Sequence, residues 1–417
     1  MVSSSSVRLA LVALITFLLG LASALPTVPH HPSRSTPEVP SEDPFYQPPA
    51  GYESEEPGTI LRQRTITVAF LGLIPDPVEA YQLLYRTTAI NGSAIATVTT
   101  IFKPTNPKTD RFVSFQTAYD SSATICDPSY NYQLGAAQTD IISSAEQLLL
   151  QAYLLLGYIV VSPDYEGPEA AFGPGRLAGM GVLDGMRAVS NFDTLGLSSS
   201  TPMIVGTGYS GGAIATGWAA SLHPNYAPDL DIKGWAHGGT PANLTGTFMF
   251  IEDTLFSGFL PLACVLTTKG RSVLDAARST CAVGDILDFA EQSILSTTIN
   301  TLGEGLIYNA TIQSVLKQNT MGVNEDETPT APVFMYHASQ DEIIPYANAS
   351  ALYDAWCGYG ADVSFTTYGN GGHATTELIG LPAAVSFIQS AFAGNTTTGC
   401  SSNSELTSIL NPIALGG

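Results

Sequence analysis

Ser210 has the clearest chemical context of any residue in this chain. It lies in the run Gly208-Tyr209-Ser210-Gly211-Gly212, which has the glycine spacing of a nucleophile elbow. An elbow places its serine on a sharp strand-to-helix turn that lifts the hydroxyl clear of the sheet. Glycines two residues before and after the serine avoid the clash that a Cβ would make across the turn. The run therefore predicts Ser210 as a nucleophile, with a plain glycine-rich turn as the alternative.

A serine hydroxyl is a weak nucleophile, so it needs an imidazole base that a carboxylate orients. The chain has six histidines, and the positions of five argue against this role. His30 and His31 lie in a proline-rich segment, and His223 follows a predicted helix on a surface turn. His337 lies inside an apolar strand, as a core residue would. His237 belongs to a His-Gly-Gly run that resembles a lipase oxyanion loop but follows the serine instead of preceding it.

His373 is the remaining histidine, on a glycine-rich loop at the end of the segment 362–373. A base there gives the chain order serine, acid, histidine. The acid should follow an earlier strand, and Asp341 lies just past the predicted strand 332–338. Its neighbour Glu342 is the rival for that role. A solvent-facing loop histidine and a solvated acidic turn are the non-catalytic alternatives.

Negative charge on a substrate oxygen needs two preorganised N–H donors. Gly211 follows the nucleophile at the N-terminus of the predicted helix, where the helix dipole also favours an anion. The second donor should come from a loop after an earlier strand, and the segment 119–121 is placed for that. Asp120 is therefore predicted at the oxyanion hole, with a loop-capping aspartate as the alternative.

Strand-like and helical runs alternate along the chain from about residue 65. Strands are predicted at 80–88, 93–104, 202–207 and 231–239, and at the starts of 111–122, 332–345 and 362–373. Helices are predicted at 181–192 and 213–222, and a helix followed by a strand at 147–167. Continuous apolar strands alternating with helices predict a mostly parallel sheet that is covered on both faces.

Residues 240–325 interrupt this alternation. Apolar residues recur there at helical spacing, namely Phe248, Ile251, Leu255, Phe259 and Leu262, and then Leu287, Ala290 and Ile294. An all-helical insertion between the nucleophile and the next core strand predicts a cap or lid. Ordinary core helices of one larger domain are the alternative.

The N-terminal segment predicts export. Residues 1–24 contain one early charge, Arg8, followed by an uncharged apolar run and a small-x-small pattern, which is typical of a cleaved signal peptide. A membrane anchor is the alternative, but the apolar run is short for a bilayer span and Pro26 follows at once. Residues 25–60 hold nine of the 27 prolines and are predicted to be an extended lead-in.

The acidic net charge argues against some classes of binding partner. Without residues 1–24 the chain carries 36 acidic against 14 basic residues, a net charge of −22. Such a surface repels nucleic acid and anionic lipid. No second stretch is long and apolar enough to suggest a transmembrane segment. The expected partner is therefore a small-molecule substrate, with a monomer as the default oligomeric state.

Two further features fit a secreted protein. Five Asn-x-Ser/Thr sequons are candidate glycosylation sites, at Asn91, Asn243, Asn309, Asn348 and Asn395.

The five cysteines show no C-x-x-C spacing, so metal binding is not expected. In an oxidising compartment, two disulfides and one buried free thiol are the simplest account of the cysteines, which are Cys126, Cys264, Cys281, Cys357 and Cys400. The residues alone leave the pairing open.

Several motifs in one order resemble the fungal secretory lipases, the family of Candida antarctica lipase A. They are AYDSSATICDPSYNYQ (118–133), VVSPDYEGPEAAFGPG (160–175), GYSGGA (208–213), HASQDEIIPY (337–346) and GHATTE (372–377). The similarity runs from about residue 43 to the C-terminus. It implies an α/β-hydrolase core over 61–239 and 326–400, a helical lid over 240–325, and a C-terminal flap over 401–417.

The resemblance also implies roles for individual residues. Ser210, Asp341 and His373 would form the catalytic triad, with Asp120 and Gly211 at the oxyanion hole. The implied bridges are Cys126–Cys281 and Cys357–Cys400, which would leave Cys264 free. The tail after Cys400 is short for the flap of lipase A.

The resulting prediction is a secreted triacylglycerol lipase that needs no metal or organic cofactor and acts on lipid esters at an oil–water interface. A short-chain carboxylesterase is the first alternative, and the apolar helical insertion favours the lipase. A serine peptidase is a second alternative, although no acid pair beside the elbow suggests one. A catalytically inactive binding protein would have lost a member of the triad, and all three candidates are present.

Overall fold

The computed structural model describes residues 36–138, 140–259, 275–297 and 302–406. The predicted signal peptide, Cys264, Leu262 and the last part of the predicted flap lie outside these residues.

Ten strands form one sheet. They are β1 (Ile60–Ile66), β4 (Glu79–Thr88), β5 (Ala94–Lys103), β6 (Lys108–Gln116), β7 (Tyr158–Pro163), β8 (Met203–Tyr209), β9 (Ile232–Gly238), β10 (Val333–Ala338), β11 (Val363–Tyr368) and β12 (Ser401–Glu405). Their order across the sheet is β1-β4-β5-β7-β6-β8-β9-β10-β11-β12. Two further short strands, β2 (Ala69–Phe70) and β3 (Ile74–Pro75), pair with each other.

The sheet is antiparallel at one edge and parallel elsewhere. β1, β4, β5 and β7 pair antiparallel in turn, whereas every pairing from β7 through β6 to β12 is parallel. All six residues of β7 and all six of β10 are buried. Such continuously buried strands are typical of a parallel sheet that is covered on both faces.

The helices that follow these strands lie on both sides of the sheet. They are α1 (Pro128–Asn131), α2 (Ile141–Leu149), α3 (Gln151–Leu155), α4 (Gly175–Ser190), α5 (Gly211–Tyr226), α6 (Leu244–Ile251), α7 (Ala282–Asp288), α8 (Ala310–Gln318), α9 (Tyr346–Gly358) and α10 (His373–Phe392). None of the helices in the described ranges is both long and apolar enough to cross a membrane.

Two apolar clusters hold the helices on the sheet. Met186 of α4 and Trp218 of α5 belong to one cluster. Ile388 and Phe392 of α10 belong to the other. Burying side chains of this size contributes about 1.5–3 kcal/mol each, so the two clusters stabilise the packing of the helices on the sheet. The fold class expected from the alternating pattern is confirmed.

The described part of the insertion 240–325 consists of helices and turns, including α6, α7 and α8. Ile251 and Ile294, two of the residues at helical spacing, are buried. One disulfide, Cys126–Cys281, joins this insertion to the loop after β6, and a second, Cys357–Cys400, joins α9 to the start of β12. Both bridges match the pairing that the family resemblance implied.

The two ends of the described chain are packed against the sheet. Phe45, Tyr46 and Tyr52 of the predicted lead-in pack on a cluster that contains Leu84 and Val98, so this segment packs on the antiparallel part of the sheet. Residues 401–405, predicted as the start of a flap, instead form the last parallel strand beside β11. Exposed backbone N–H and C=O groups at an edge strand favour such pairing.

The five sequons differ in exposure. Asn91, Asn309 and Asn395 are exposed, whereas Asn243 and Asn348 are half-buried. Nδ2 of Asn348, the atom to which a glycan would attach, donates to the carbonyl of Asn243 at 3.0 Å. Glycosylation therefore remains a prediction, and the exposed three sites suit it better than the other two.

Candidate active site

The predicted elbow is present at the carboxyl end of β8. Ser210 has φ 53° and ψ −119°, and α5 begins at the next residue. This backbone conformation is strained for a residue with a Cβ. A Cβ on Gly208 would lie 2.5 Å from the carbonyl oxygen of Gly212, and one on Gly212 would overlap the carbonyl oxygen of Gln116. The glycines therefore let the turn close tightly against β6.

A chain of hydrogen bonds connects the three predicted triad residues. Ser210 Oγ lies 2.8 Å from His373 Nε2, and His373 Nδ1 lies 2.8 Å from Asp341 Oδ2. An ionised carboxylate only accepts hydrogen bonds, so Nδ1 carries the imidazole proton. Nε2 is then free to accept the proton of the serine hydroxyl. The arrangement can deprotonate Ser210 during nucleophilic attack.

Parallel pairing brings these residues together. β10 pairs in parallel with both β9 and β11, and β8 pairs in parallel with β9. Ser210, Asp341 and His373 each follow one of these strands, so all three lie at the same edge of the sheet. His373 was expected on a loop, but it is the first residue of α10. The Thr375 side chain accepts from the backbone N–H of Gly372, which lets the helix start immediately after the glycines.

The structure separates the two candidate acids. Asp341 contacts the imidazole, whereas Glu342 Oε2 accepts from the backbone N–H of His373 at 2.9 Å. Glu342 therefore satisfies a free N–H at the start of α10, and Asp341 alone of this pair meets the ring.

Tyr209, predicted only as part of the elbow, holds the histidine from another side. Its hydroxyl donates to the carbonyl of His373 at 2.8 Å. The two ring centroids are 5.0 Å apart. The sequence offers no separate signal for this contact, because it depends on where α10 begins.

The buried acid and base each stabilise the charged form of the other. Burial by itself would lower the pKa of His373, but the charge and hydrogen bond of Asp341 outweigh burial and the pKa is raised. Burial would raise the pKa of Asp341, but His373 outweighs that effect and the pKa is lowered. The pair therefore favours an imidazolium beside a carboxylate, the charge state that forms when the serine loses its proton.

Asp120 lies against the elbow, as predicted for an oxyanion-hole residue. Its backbone has φ 39°, and its Oδ1 is so close to Gly211 that a Cβ there would overlap it. Glu146 Oε2 accepts from the backbone N–H of Ala118 at 2.9 Å, which anchors the loop. Burial, with a further contribution from Asp140, raises the pKa of Asp120 to about 7. Gly211 is the first residue of α5, so its N–H has no partner within the helix.

The remaining histidines in the described part of the chain do not contact Ser210. His223 was expected on a surface turn, but it is buried, and its Nε2 lies 3.2 Å from the carbonyl of Leu230. The helix α5 continues to Tyr226 and so carries His223 against the core. His237 is buried in β9 with Nδ1 2.8 Å from Thr240 Oγ1, so it is not part of an oxyanion loop.

An apolar cleft opens beside the serine. It has a volume of about 350 Å³, including space open to solvent. Ser210, Gly211 and Asp120 supply its polar wall, and the rest of its lining is almost wholly apolar, namely Phe172, Ile214, Pro241, Leu244, Phe248, Ile251, Phe259, Ile343, Ile344 and the one further polar residue Thr247. Most of the insertion residues in this list come from α6. Within the described residues, no group of three or more His, Cys, Asp or Glu side chains is arranged to hold a metal ion.

Stability is expected to fall as the pH rises from 5 to 8. Burial raises the pKa of Asp140 and Asp164 to about 7, so the folded chain binds protons that the unfolded chain releases near pH 4. The free energy of unfolding that such groups contribute is therefore lost as the pH rises from about 4 to about 7. Buried histidines with lowered pKa values, such as His237, act in the opposite direction below pH 6.5, but the raised carboxyls outnumber them. His373, whose pKa is raised, acts in the same direction as the carboxyls.

Thermal unfolding measured at pH 5 and pH 8 tests this expectation. We expect a lower midpoint at pH 8 by several degrees, because one pKa unit corresponds to about 1.4 kcal/mol. Asp140→Asn can keep only one of the two backbone hydrogen bonds, from Ile142 or from Ser143, so it should lower the midpoint at both pH values. It also removes one titrating group, so it should flatten the pH dependence. An equal or higher midpoint at pH 8 would contradict the expectation.

The parallel sheet with a serine on a strand-to-helix turn, a histidine base and an aspartate after a neighbouring strand defines an α/β hydrolase. The chain belongs to the secretory lipase family, whose model matches residues 132–400. It is 44% identical to a secreted triacylglycerol lipase of Malassezia furfur, over 90% of this chain and 81% of that protein. It is 41% identical to one of Malassezia restricta, over 86% and 81%.

Solved structures give the same result. Candida antarctica lipase A in its closed state matches with a TM-score of 0.81 and 31% sequence identity, over 90% of this chain and 92% of that chain. The family resemblance drawn from the motifs is therefore confirmed.

Proposed function

We propose that this chain is a secreted triacylglycerol lipase that cleaves fatty-acid esters through an acyl-serine intermediate. The observation that carries the proposal is the hydrogen-bonded chain from Ser210 through His373 to Asp341 at the base of an apolar cleft. Relatives named secreted triacylglycerol lipases support the substrate class and the location. The predicted signal peptide and the two disulfides also support secretion.

Acylation begins when Ser210 Oγ attacks the ester carbonyl carbon. His373 Nε2 takes the hydroxyl proton, and Asp341 stabilises the resulting imidazolium. The carbonyl oxygen becomes an oxyanion at the N-terminus of α5, where the N–H of Gly211 donates to it. The backbone N–H of Asp120 donates the second hydrogen bond to the oxyanion. The imidazolium then protonates the leaving alcohol, and the C–O ester bond breaks.

Deacylation repeats the same steps with water. His373 removes a proton from a water molecule, whose oxygen attacks the acyl-serine carbonyl. The tetrahedral intermediate collapses, Ser210 recovers its proton from His373, and the fatty acid leaves. Ser210 and His373 account for every bond and proton transfer in these steps, so the proposed reaction calls for no metal or organic cofactor.

The cleft lining favours a long acyl chain over a small polar one. Phe248 and Ile251 of α6 line the cleft together with Ile214 and Ile344. Removing methylene groups of a substrate from water against such walls is favourable by about 0.8 kcal/mol per CH₂. These α6 residues belong to the predicted lid. We propose that the insertion 240–325 shields the acyl chain and opens toward a lipid surface.

Initial rates on emulsified long-chain triacylglycerols and on dissolved short-chain esters test the substrate class. We expect a rate on the emulsion at least about tenfold higher, because each buried methylene adds to transition-state binding. The Ser210→Ala variant provides the background rate for both substrates. A strong preference for dissolved short esters would identify a carboxylesterase instead, and failure to react with a fluorophosphonate would indicate an inactive binding protein.

A further inference from the structure

A second histidine contacts the triad aspartate. His337 is the second-last residue of β10 and precedes Asp341 by four residues. The side chains of both residues are fully buried. His337 Nε2 lies 3.4 Å from Asp341 Oδ2 and 3.0 Å from the carbonyl oxygen of Ile344. The motif that contains both residues was noted in the sequence, but His337 was interpreted there as a core residue.

The hydrogen-bond partners define the state of this imidazole. A carbonyl oxygen only accepts, so Nε2 carries the hydrogen and donates it to Ile344, with Asp341 Oδ2 next to it at 3.4 Å. Nδ1 is then the bare nitrogen, and it has no hydrogen-bond partner among the described residues. Burial lowers the pKa of His337 despite the nearby charge of Asp341. The ring is therefore a neutral donor and takes no part in proton transfer.

The two oxygens of the Asp341 carboxylate have different partners. Oδ1 accepts from the backbone N–H groups of Ile343 and Ile344, at 2.9 and 2.8 Å. Oδ2 accepts from His373, and His337 lies beside this oxygen. Because His337 also binds the Ile344 carbonyl, it ties the strand to the turn that orients the carboxylate.

The same turn forms part of the cleft wall, since Ile343 and Ile344 both line it. Tyr346 of α9 packs edge-on against the His337 ring, with centroids 5.9 Å apart. The titratable groups that face His337 are thus Asp341, His373 and Tyr346. A rigid, fully buried contact of this kind can set the direction of the Asp341 carboxylate.

We propose that His337 is a positioning residue for the ester hydrolysis: its Nε2–H binds the Ile344 carbonyl and lies beside Asp341 Oδ2, and it thereby keeps the turn 341–344 and the carboxylate in the geometry that orients His373. It acts through Asp341 and does not touch the substrate. The inference rests on the proposed function of the Ser210 site. Hydrogen-bond partners of metal-ligating residues are typically worth about 10–100-fold in activity, and we expect an effect of that size here.

Three variants separate positioning from simple packing. His337→Met fills a similar volume without a donor, and His337→Asn keeps a polar group that is too short to reach Ile344 and Asp341. His337→Gln places its amide N–H near the position of Nε2. We expect Met and Asn to lower kcat about 10–100-fold with little change in KM, and Gln to recover most of that loss.

The pH profile of kcat/KM provides a readout that packing alone would not move. Without the His337 donor, more of the Asp341 negative charge acts on His373, so the acid limb should shift to higher pH in the Met and Asn variants. Rates are divided by the folded fraction from circular dichroism, which corrects for any loss of stability. If one of these two variants does not fold, the other carries the test.

The inference is overturned if the folded Met or Asn variant keeps kcat within twofold of the parent, or if the acid limb does not move to higher pH. Ser210→Ala measured in the same assay keeps the two hypotheses apart. An inactive Ser210→Ala with an unaffected His337→Met rejects only the role of His337, whereas an active Ser210→Ala rejects the proposed function itself.

Discussion

Ser210→Ala is expected to lower kcat on ester substrates by about six orders of magnitude, the loss typical of removing the nucleophile of a catalytic triad. The substitution removes one oxygen atom, and the backbone N–H that donates to Gly238 at 3.0 Å is kept. The fold should therefore survive, with a thermal midpoint close to that of the parent. Initial hydrolysis rates and circular dichroism measure both expectations.

Covalent labelling identifies the reacting atom independently of the rate. A fluorophosphonate should add one adduct to the parent chain at Ser210 and none to Ser210→Ala. Ser221 is a matched control, because it lies in α5 and is buried but is not part of the cleft lining. Ser221→Ala should label and hydrolyse like the parent. More than about 1% residual activity in folded Ser210→Ala would show that another residue is the nucleophile.

Asp341→Asn is expected to lower kcat by about 10⁴-fold while the fold is retained. An asparagine amide can donate to the imidazole, which favours the tautomer with its proton on Nε2. In that tautomer His373 cannot accept the proton of Ser210. Asparagine also lacks the charge that stabilises the imidazolium. Hydrolysis rates at saturating substrate, with circular dichroism as the check on folding, measure the effect.

Glu342→Gln is the matched control for this prediction. Glu342 is the adjacent acid and also contacts His373, but through the backbone N–H. The glutamine oxygen can accept the same hydrogen bond, so we expect a loss of less than about tenfold, in keeping with a neutral hydrogen bond replacing a charge-assisted one. If Glu342→Gln cost as much as Asp341→Asn, the assignment of the acid to Asp341 would be wrong.

The positions of the candidate triad were readable from local patterns. The glycine spacing around Ser210 identifies an elbow because only small residues fit its turn. Asp341 and His373 follow predicted strands, and strands in a parallel sheet place their carboxyl ends at one edge. Chain order and strand ends together were enough to select one histidine out of six.

Other features depended on distances that no local pattern encodes. Asp341 and Glu342 are adjacent acids with the same preceding strand, and only the direction of each side chain separates them. His223 was predicted on a surface turn, but the length of α5 buries it. Residues 401–405 are polar and exposed, so their pairing with β11 had no hydrophobic signal.

By itself, the sequence determined the secretory character, the mostly parallel sheet, the family and the candidate nucleophile and base, and it gave Asp341 as the acid with Glu342 as its rival. These follow from residue types and short-range spacing, which limit the backbone conformations that a segment can adopt. The tertiary structure alone decided which acid meets the imidazole, that Tyr209 holds His373, and that His337 lies against Asp341. Those contacts join segments brought together by sheet pairing and helix packing, and hydrogen bonds require partners to meet within a few tenths of an ångström.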